Sequence, residues 1–487
     1  MAIFEGLIPN KVWFFFEEIC KIPHPSNKEE QLAQFLMSFA AERQLEVRKD
    51  ETGNVLIRKP ATAGKENLKP VCLQTHIDMV CEKNADKELN FETDPIEPFI
   101  DGEWVKAKGT TLGADDGIGV AAALAILDAN DVEHGPIEAL FTVAEETGLT
   151  GAAGLSPELL YSQILLNLDS EEDDEFCIGC AGGIDTVITL KYRKRGIPKK
   201  SVAFEVSVSG LLGGHSGEDI GKGLANSNKI LNRFLWDVAK DCEIRIAKFD
   251  GGNLRNAIPR EATAIITLPQ QNVEKFVNFY NQFFENLKLE YRVTEPNLNI
   301  SITETKLPKF VMNKKSQFRL LNSLYACPHG VIAWSQDIAG LVETSTNLAS
   351  VKFIENNQIE VTTSQRSSIH SAKINVASMV ESSFLLAKAT VRHNTGYPGW
   401  KPNPDSEIVK IISTSFEKLY GKKPVIKAIH AGLECGLLKE KYPQMDMIAM
   451  GPTIKGPHSP DERLHIESVK RFWDLLLEVL KNIPATE

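Results

Sequence analysis

Five residues carry donor chemistry at spaced positions along the chain: His76, Asp115, Glu146, Asp169 and His458. Two imidazoles and three carboxylates suit zinc, cobalt or manganese rather than a soft thiolate site. Three carboxylates overcompensate one dication, whereas a carboxylate shared by two ions about 3.5–4 Å apart balances the charge. Two ions are therefore expected. Asp115 is the natural bridge, because it precedes a helix-forming run and lies between strand ends in chain order. Asp78, two residues after His76, could hold that imidazole in one tautomer. Glu145 and Glu146 are adjacent, so both reach one site only if the chain turns, as Thr147 and Gly148 permit. One glutamate would bind metal and the other would take a proton from a bridging water, whose pKa a metal brings to about 7. A lone His-x-Asp is more often a turn, so the five positions together carry the reading.

The elements that must position these residues are short apolar runs, each ending at a donor. They are VCLQTH to His76, ALFTVAEE to Glu145 and Glu146, ILLNLD to Asp169, and DMIAMGP with a Gly-rich loop to His458. Runs apolar on both faces predict buried strands of an α/β sheet, and such sheets bind ligands beyond the carboxyl ends of their strands. IGVAAALAILDA (118–129) predicts a helix. Near the N-terminus, Lys11 to Ile19 predicts a first helix, and Ser26 with Glu29 reads as a capping box opening a second. From Ser201 a period-2 alternation sets in, followed by strand-like ATAIITLP, LNISITET and NNQIEVTTSQ and helical NSNKILNRFLWDVAK and NVEKFVNFYNQFFENL. This predicts a separate α+β domain over 187–393, inserted into a domain made of 1–186 and 394–487.

A chain of 487 residues exceeds one hydrophobic core. The net charge of −11 argues against nucleic acid, whose phosphates select basic surfaces. No apolar run approaches the roughly 20 residues of a membrane span. Glu5, Lys11, Glu17 and Glu18 interrupt the first apolar stretch, so no secretion signal is expected. The eight scattered cysteines suit a reducing compartment, and a cytoplasmic location follows. Other features read as structural: the C-x-x-C of Cys177 and Cys180, the histidines other than His76, His215 and His458, and the GEDIGKG string, which lacks the hydroxyl of a phosphate loop. The acidic run 171–175 and the basic run 191–200 read as solvated loops, the first a source of field favouring cationic amino termini.

Around the donors, LQTHIDMV, LGADDGIG, AEETG, NLDSE and GPHSPDERL resemble the M20 family of dinuclear zinc peptidases. GCAGG, LLGGHSGEDI, GKGLANSNKIL and HAGLECG are most similar to its aminoacyl-histidine, or Xaa-His, dipeptidases, which include enzymes acting on carnosine. The resemblance spans essentially the whole chain from IPHPS onward. It implies a mixed-sheet catalytic domain covered by helices, an inserted α+β lid or dimerisation domain, and a homodimer. By residue carry-over it implies that His76 and Asp169 bind one zinc ion, Glu146 and His458 the other, and Asp115 both, with Asp78 supporting the site and Glu145 the general base. On the lid it implies that His215 helps hold the scissile carbonyl, and that Asn256, Arg366 and Gly432 contact the substrate. Asp116 stands where relatives often have Asn, and Cys81 where the subgroup often has Pro.

The expected activity is hydrolysis of unblocked dipeptides, preferentially Xaa-His such as β-alanyl-histidine, by a metal-bridging hydroxide. Two Zn²⁺ per chain are implied, with Co²⁺ or Mn²⁺ as substitutes. A tripeptidase or an N-acyl-amino-acid deacylase on the same scaffold is the nearest alternative. A non-catalytic homodimeric binding protein would be marked by loss of a ligand or base, and none is missing.

Overall fold

The four donor-tipped runs become neighbours at the centre of one sheet. The structure, a computed structural model, describes residues 3–486. Ile137–Thr142, Val71–His76, Ile164–Asn167 and Asp446–Ala449 lie side by side and parallel in an eight-stranded sheet. Glu46–Lys49 and Val55–Lys59 extend it antiparallel at one edge, and Glu175–Cys180 and Val425–Ile429 lie at the other. Parallel strands put their carboxyl ends on one side, so His76, the Glu145–Glu146 turn and Asp169 emerge together. Nearly every residue of the four central strands is buried, which is why they read as continuous apolar runs.

Helix Ala114–Asp128 is buried almost all round and packs on helix Asn10–Cys20 and strand Val71–His76. Its regular turns begin after Asp115 and Asp116, which have non-helical backbone angles and are joined by a cis peptide. His458 sits in the loop between the paired strands Ile454–Lys455 and Arg463–His465, which complete a four-stranded antiparallel sheet with Trp104–Ala107 and Pro98–Asp101. That sheet anchors both sides of the loop.

The chain divides into two compact units. The first runs to Cys180, resumes over Trp400–Ala428 and again from Leu433, and the second comprises Ala181–Gly399 with Ile429–Gly432. The first crossing falls before 187 because strand Gly182–Lys191 belongs whole to the second unit's sheet, and the second falls after 393, where Tyr397 pairs with Gly183 of that strand. That sheet has nine strands, and every recorded pairing in it is antiparallel. Ser201–Ser209, whose alternation predicts a strand, and the strand-like runs at Ala262–Pro269, Asn299–Thr305 and Gln358–Ser367 occupy it, with helices Ser227–Asp241 and Val273–Tyr291. Among the described residues no helix is long and apolar enough to cross a membrane.

Two local expectations fail. The second helix starts at Glu30 with Glu29 rather than Ser26 at its N-cap, and no side chain caps it. The Ser26 hydroxyl donates to Asp78 (2.7 Å), and the Glu29 carboxylate accepts the N–H groups of Asn27 (2.7 Å) and Ala144 (3.0 Å). These partners satisfy the two side chains better than a helix end would. The acidic run is not a free loop either: Glu172 pairs with Lys455, Asp173 with Arg471, Asp174 with Lys422 and Glu175 with Lys427. Neutralised in this way, it supplies little of the field expected of it. The basic run 191–200 is mostly exposed, as predicted, and all cysteines are free.

The second unit's core is set by aromatic packing. Phe234 is fully buried, with the rings of Phe283, Phe279 and Phe276 at 5.2, 5.8 and 5.9 Å. Phe234→Ala removes one ring from a site whose neighbours cannot all close in, and a loss of about 3–5 kcal/mol is expected. Denaturant titration measures it.

Candidate metal centre

The sheet's carboxyl edge brings His76, Asp115, Glu145, Glu146, Asp169 and His458 into three overlapping donor groups. Within each group the ligand atoms lie within 4.8 Å of one another: His76 with Asp115 and Asp169, Asp115 with Glu146 and His458, and His76 with Glu145 and Glu146. Asp115 faces two ways. Its Oδ1 is 3.1 Å from His76 Nε2, and its Oδ2 is 3.1 Å from His458 Nε2. Asp169 Oδ1 is 3.7 Å from His76 Nε2 on one side, and Glu146 Oε1 is 3.0 Å from His458 Nε2 on the other. Glu146 Oε1 is buried and has no hydrogen-bond partner, because the His458 N–H is aligned on Asp115 instead. A buried carboxylate oxygen left without a hydrogen bond among nitrogen and oxygen donors fits a divalent cation.

The electrostatics agree. Burial would raise the Asp115 carboxyl, but hydrogen bonds from His458 and His76 hold it far below the usual range. Asp115 and then Glu146 push the His458 imidazole up to about 11. Burial opposes charge on His76, yet Asp169 and Asp115 raise it well above an ordinary imidazole. Burial, with neighbouring carboxylates adding to it, pushes Glu145 up to about 8, so this carboxylate holds a proton more readily than an exposed one.

The residues 72–482 match the sequence model of Peptidase family M20/M25/M40. The chain belongs to that family. Its members are metal-dependent, and this chain is a metallopeptidase of the same kind. It is 48% identical over 485 residues to the cytosol non-specific dipeptidase of Escherichia coli strain K12, covering 100% of both chains. The crystal structure of aminoacylhistidine dipeptidase from Vibrio alginolyticus superposes with a TM-score of 0.95 at 47% identity, again over 100% of both chains. A tripeptidase from Staphylococcus aureus shares the fold, with a TM-score of 0.57 at 16% identity over 98% of this chain and 99% of that one.

The candidate donors are held by carboxylates whose partners the sequence does not show. His76 Nδ1 is 3.0 Å from the backbone carbonyl of Asp78, while the Asp78 carboxylate stands 3.5 Å away. That carboxylate instead accepts the N–H groups of Glu145 (2.9 Å) and Glu146 (3.2 Å) and the Ser26 hydroxyl, so it pins the turn carrying both glutamates. The strand ends at Thr142, and Ala144 has φ +49°, so the turn starts before Thr147.

Glu462, buried, accepts the backbone N–H groups of Leu112 (2.7 Å), Ala114 (2.8 Å), Gly113 (3.1 Å) and Asp115 (3.4 Å). It lies in the DER string after His458, so one short loop supplies a donor and clamps the segment bearing another. Glu434, also buried, accepts from Gln74 (2.6 Å) and Thr142 (2.7 Å), and Gln74 in turn accepts from Asn167 (2.7 Å). The network ties together the three strands that lead to His76, Glu145 and Asp169. Asp116 is buried beside them and accepts the His76 N–H at 3.3 Å.

The remaining expected positions fall in the second unit. His215 is on a two-residue strand paired with Ala257–Ile258, and the carbonyl of exposed Asn256 accepts the Ser216 N–H (2.7 Å). Asn347 donates to the carbonyls on either side of Asn256, at Arg255 (3.3 Å) and Ala257 (2.8 Å). Arg366 is buried, Gly432 half-buried.

Glu462→Gln would turn amide protons toward N–H groups that now meet a carboxylate. It is expected to weaken divalent-metal affinity about 10–100-fold in chelator competition while the chain stays folded.

Proposed function

We propose that the chain hydrolyses unblocked dipeptides, preferentially Xaa-His such as β-alanyl-histidine, as a dinuclear zinc enzyme. The observation that carries this reading is Asp115, whose two oxygens each face a separate histidine, and each of those histidines also meets a second carboxylate. His76, Asp115 and Asp169 would hold one Zn²⁺, and Asp115, Glu146 and His458 the other, with Co²⁺ or Mn²⁺ as substitutes. When bound, the cations supply Lewis acidity to a water and to the scissile carbonyl.

Glu145 takes the proton of the attacking water and returns it to the leaving amine as the C–N bond breaks. Its raised affinity for a proton suits both halves of that transfer. In the second unit, His215 Nδ1 accepts the Glu218 N–H at 3.3 Å, so the neutral ring carries its proton on Nε2, where it can donate to the developing oxyanion. Burial, then Arg366, lowers the His215 pKa and favours that neutral ring. Arg366 offers a planar fork to the dipeptide carboxylate, and Asn256 and the Gly432 backbone supply further contacts.

The aminoacylhistidine dipeptidase of V. alginolyticus supports histidine in the second position. The name of the E. coli relative, a cytosol non-specific dipeptidase, supports a broader range of dipeptides and a cytoplasmic location. A homodimer rests on the family resemblance.

Rates on β-alanyl-histidine, other unblocked dipeptides, Gly-Gly-Gly and N-acetyl amino acids, each with zinc, manganese and cobalt, test the substrate class. Faster turnover of the last two would overturn it. Chelation should abolish activity and metal restore it. Glu145→Gln should keep about two ions per chain, as metal analysis reads them, and lower kcat by about 10²–10⁴; full activity in that variant would remove Glu145 as the base.

A further inference from the structure

Arg366 is buried in the second unit with its two sides treated differently. On strand Gln358–Ser367 it stands directly opposite Ser345 on one neighbouring strand and Gly183 on the other. Its Nη1 donates to the Tyr397 hydroxyl at 3.0 Å, while its Nε is buried and has no partner. No carboxylate among the described residues forms an ion pair with it. A buried guanidinium with one committed edge and one uncommitted N–H needs something to fix it, since the side chain is otherwise long and rotatable.

Tyr397 is built to do that. Its backbone pairs with Gly183, with the Gly183 N–H donating at 3.1 Å and the Tyr397 N–H at 2.9 Å. Lys373 donates to its carbonyl. The ring is wedged between two glycines: a Cβ on Gly183 would lie 2.6 Å from ring atoms Cε1 and Cζ, and one on Gly432 would lie 2.8 Å from Cε2. Any side chain at either position would push the ring away. On the other flank the Ser345 hydroxyl donates to His430 Nε2 at 2.7 Å. Burial, then Arg366, lowers the His430 pKa to about 3, so this flank is neutral and offers the guanidinium no competing anion.

We propose that Tyr397 is a positioning residue for substrate-carboxylate recognition, wedged by Gly183 and Gly432 so that its hydroxyl fixes the Arg366 guanidinium with one edge open to an anion. Gly432 then matters as much for the space it leaves as for its own backbone. The inference rests on the reading of Arg366 as the holder of the dipeptide carboxylate.

The test compares kcat/KM on β-alanyl-histidine with that on its C-terminal amide, which keeps the scissile bond and removes the anion. Tyr397→Phe keeps the ring and deletes only the hydroxyl. It should lower the acid-over-amide preference about tenfold, with the loss in KM rather than kcat. Gly432→Ala, which displaces the ring and keeps the hydroxyl, should lower the preference likewise. If the unaltered enzyme prefers the acid and both variants keep that preference, the positioning role is overturned and the Arg366 reading stands. If the unaltered enzyme shows no preference, the Arg366 reading falls and takes the inference with it.

Discussion

The first unit is organised around a surplus of buried negative charge. Asp78, Asp115, Asp116, Glu145, Glu146, Asp169, Glu434 and Glu462 are buried or half-buried at one edge of its sheet, accompanied by the imidazoles of His76 and His458. Like charges gathered in low dielectric cannot all remain ionised without compensation, and two imidazoles fall short. Burial raises Glu145, Glu434 and Glu462, and it drives Asp169 and Asp116 well above the usual carboxylate range. Divalent cations reverse that logic, because they are the largest local charges in such a site. A sheet edge made of parallel strand ends is the place where so many carboxylates can be aimed at one volume without sharing a backbone segment.

The same carboxylates divide into two kinds of work. Asp115, Glu146 and Asp169 turn side-chain oxygens toward the imidazoles, whereas Asp78, Glu29 and Glu462 spend theirs on backbone N–H groups of the turns that carry the first set. Holding a loop by its backbone fixes the position of its side chains without adding another donor to the site. Glu434 does the equivalent for strands, through Gln74, Thr142 and Asn167. The geometry at the donors is thus inherited from contacts between segments far apart in the chain.

That separation explains what could be read in advance. The strands ending at His76 and Asp169 and the helix after Asp115 are visible because hydrophobic period and a terminal polar residue are local signals. Ser26 and Glu29 match a capping pattern, but Ser26 bonds a residue 52 positions away and Glu29, besides its neighbour Asn27, one 115 positions away, which no local pattern encodes. The acidic run has the same history, with its lysines and arginine supplied from beyond residue 420. Glu462 stood within a legible string, yet its clamp on residues 112–115 needs the fold. The return of Ile429–Gly432 to the second unit left no trace in composition at all.

Each unit leaves a buried side-chain atom without a hydrogen-bond partner, and the two atoms are opposite in kind. Glu146 in the first leaves a buried carboxylate oxygen with no hydrogen bond, only the nearby His458 ring, and Arg366 in the second leaves a buried Nε–H without an acceptor. Desolvating either group is costly, and the cost falls on folding rather than on the moment of binding. A cation at one and a carboxylate at the other would therefore meet groups already dehydrated and fixed, which is where preorganisation gains most over flexible contacts in water. An unblocked dipeptide supplies the carboxylate but no cation capable of polarising its own carbonyl. On the proposed reading the metal would supply that, and the carboxylates that would draw it in are the same ones that make this edge so rich in charge.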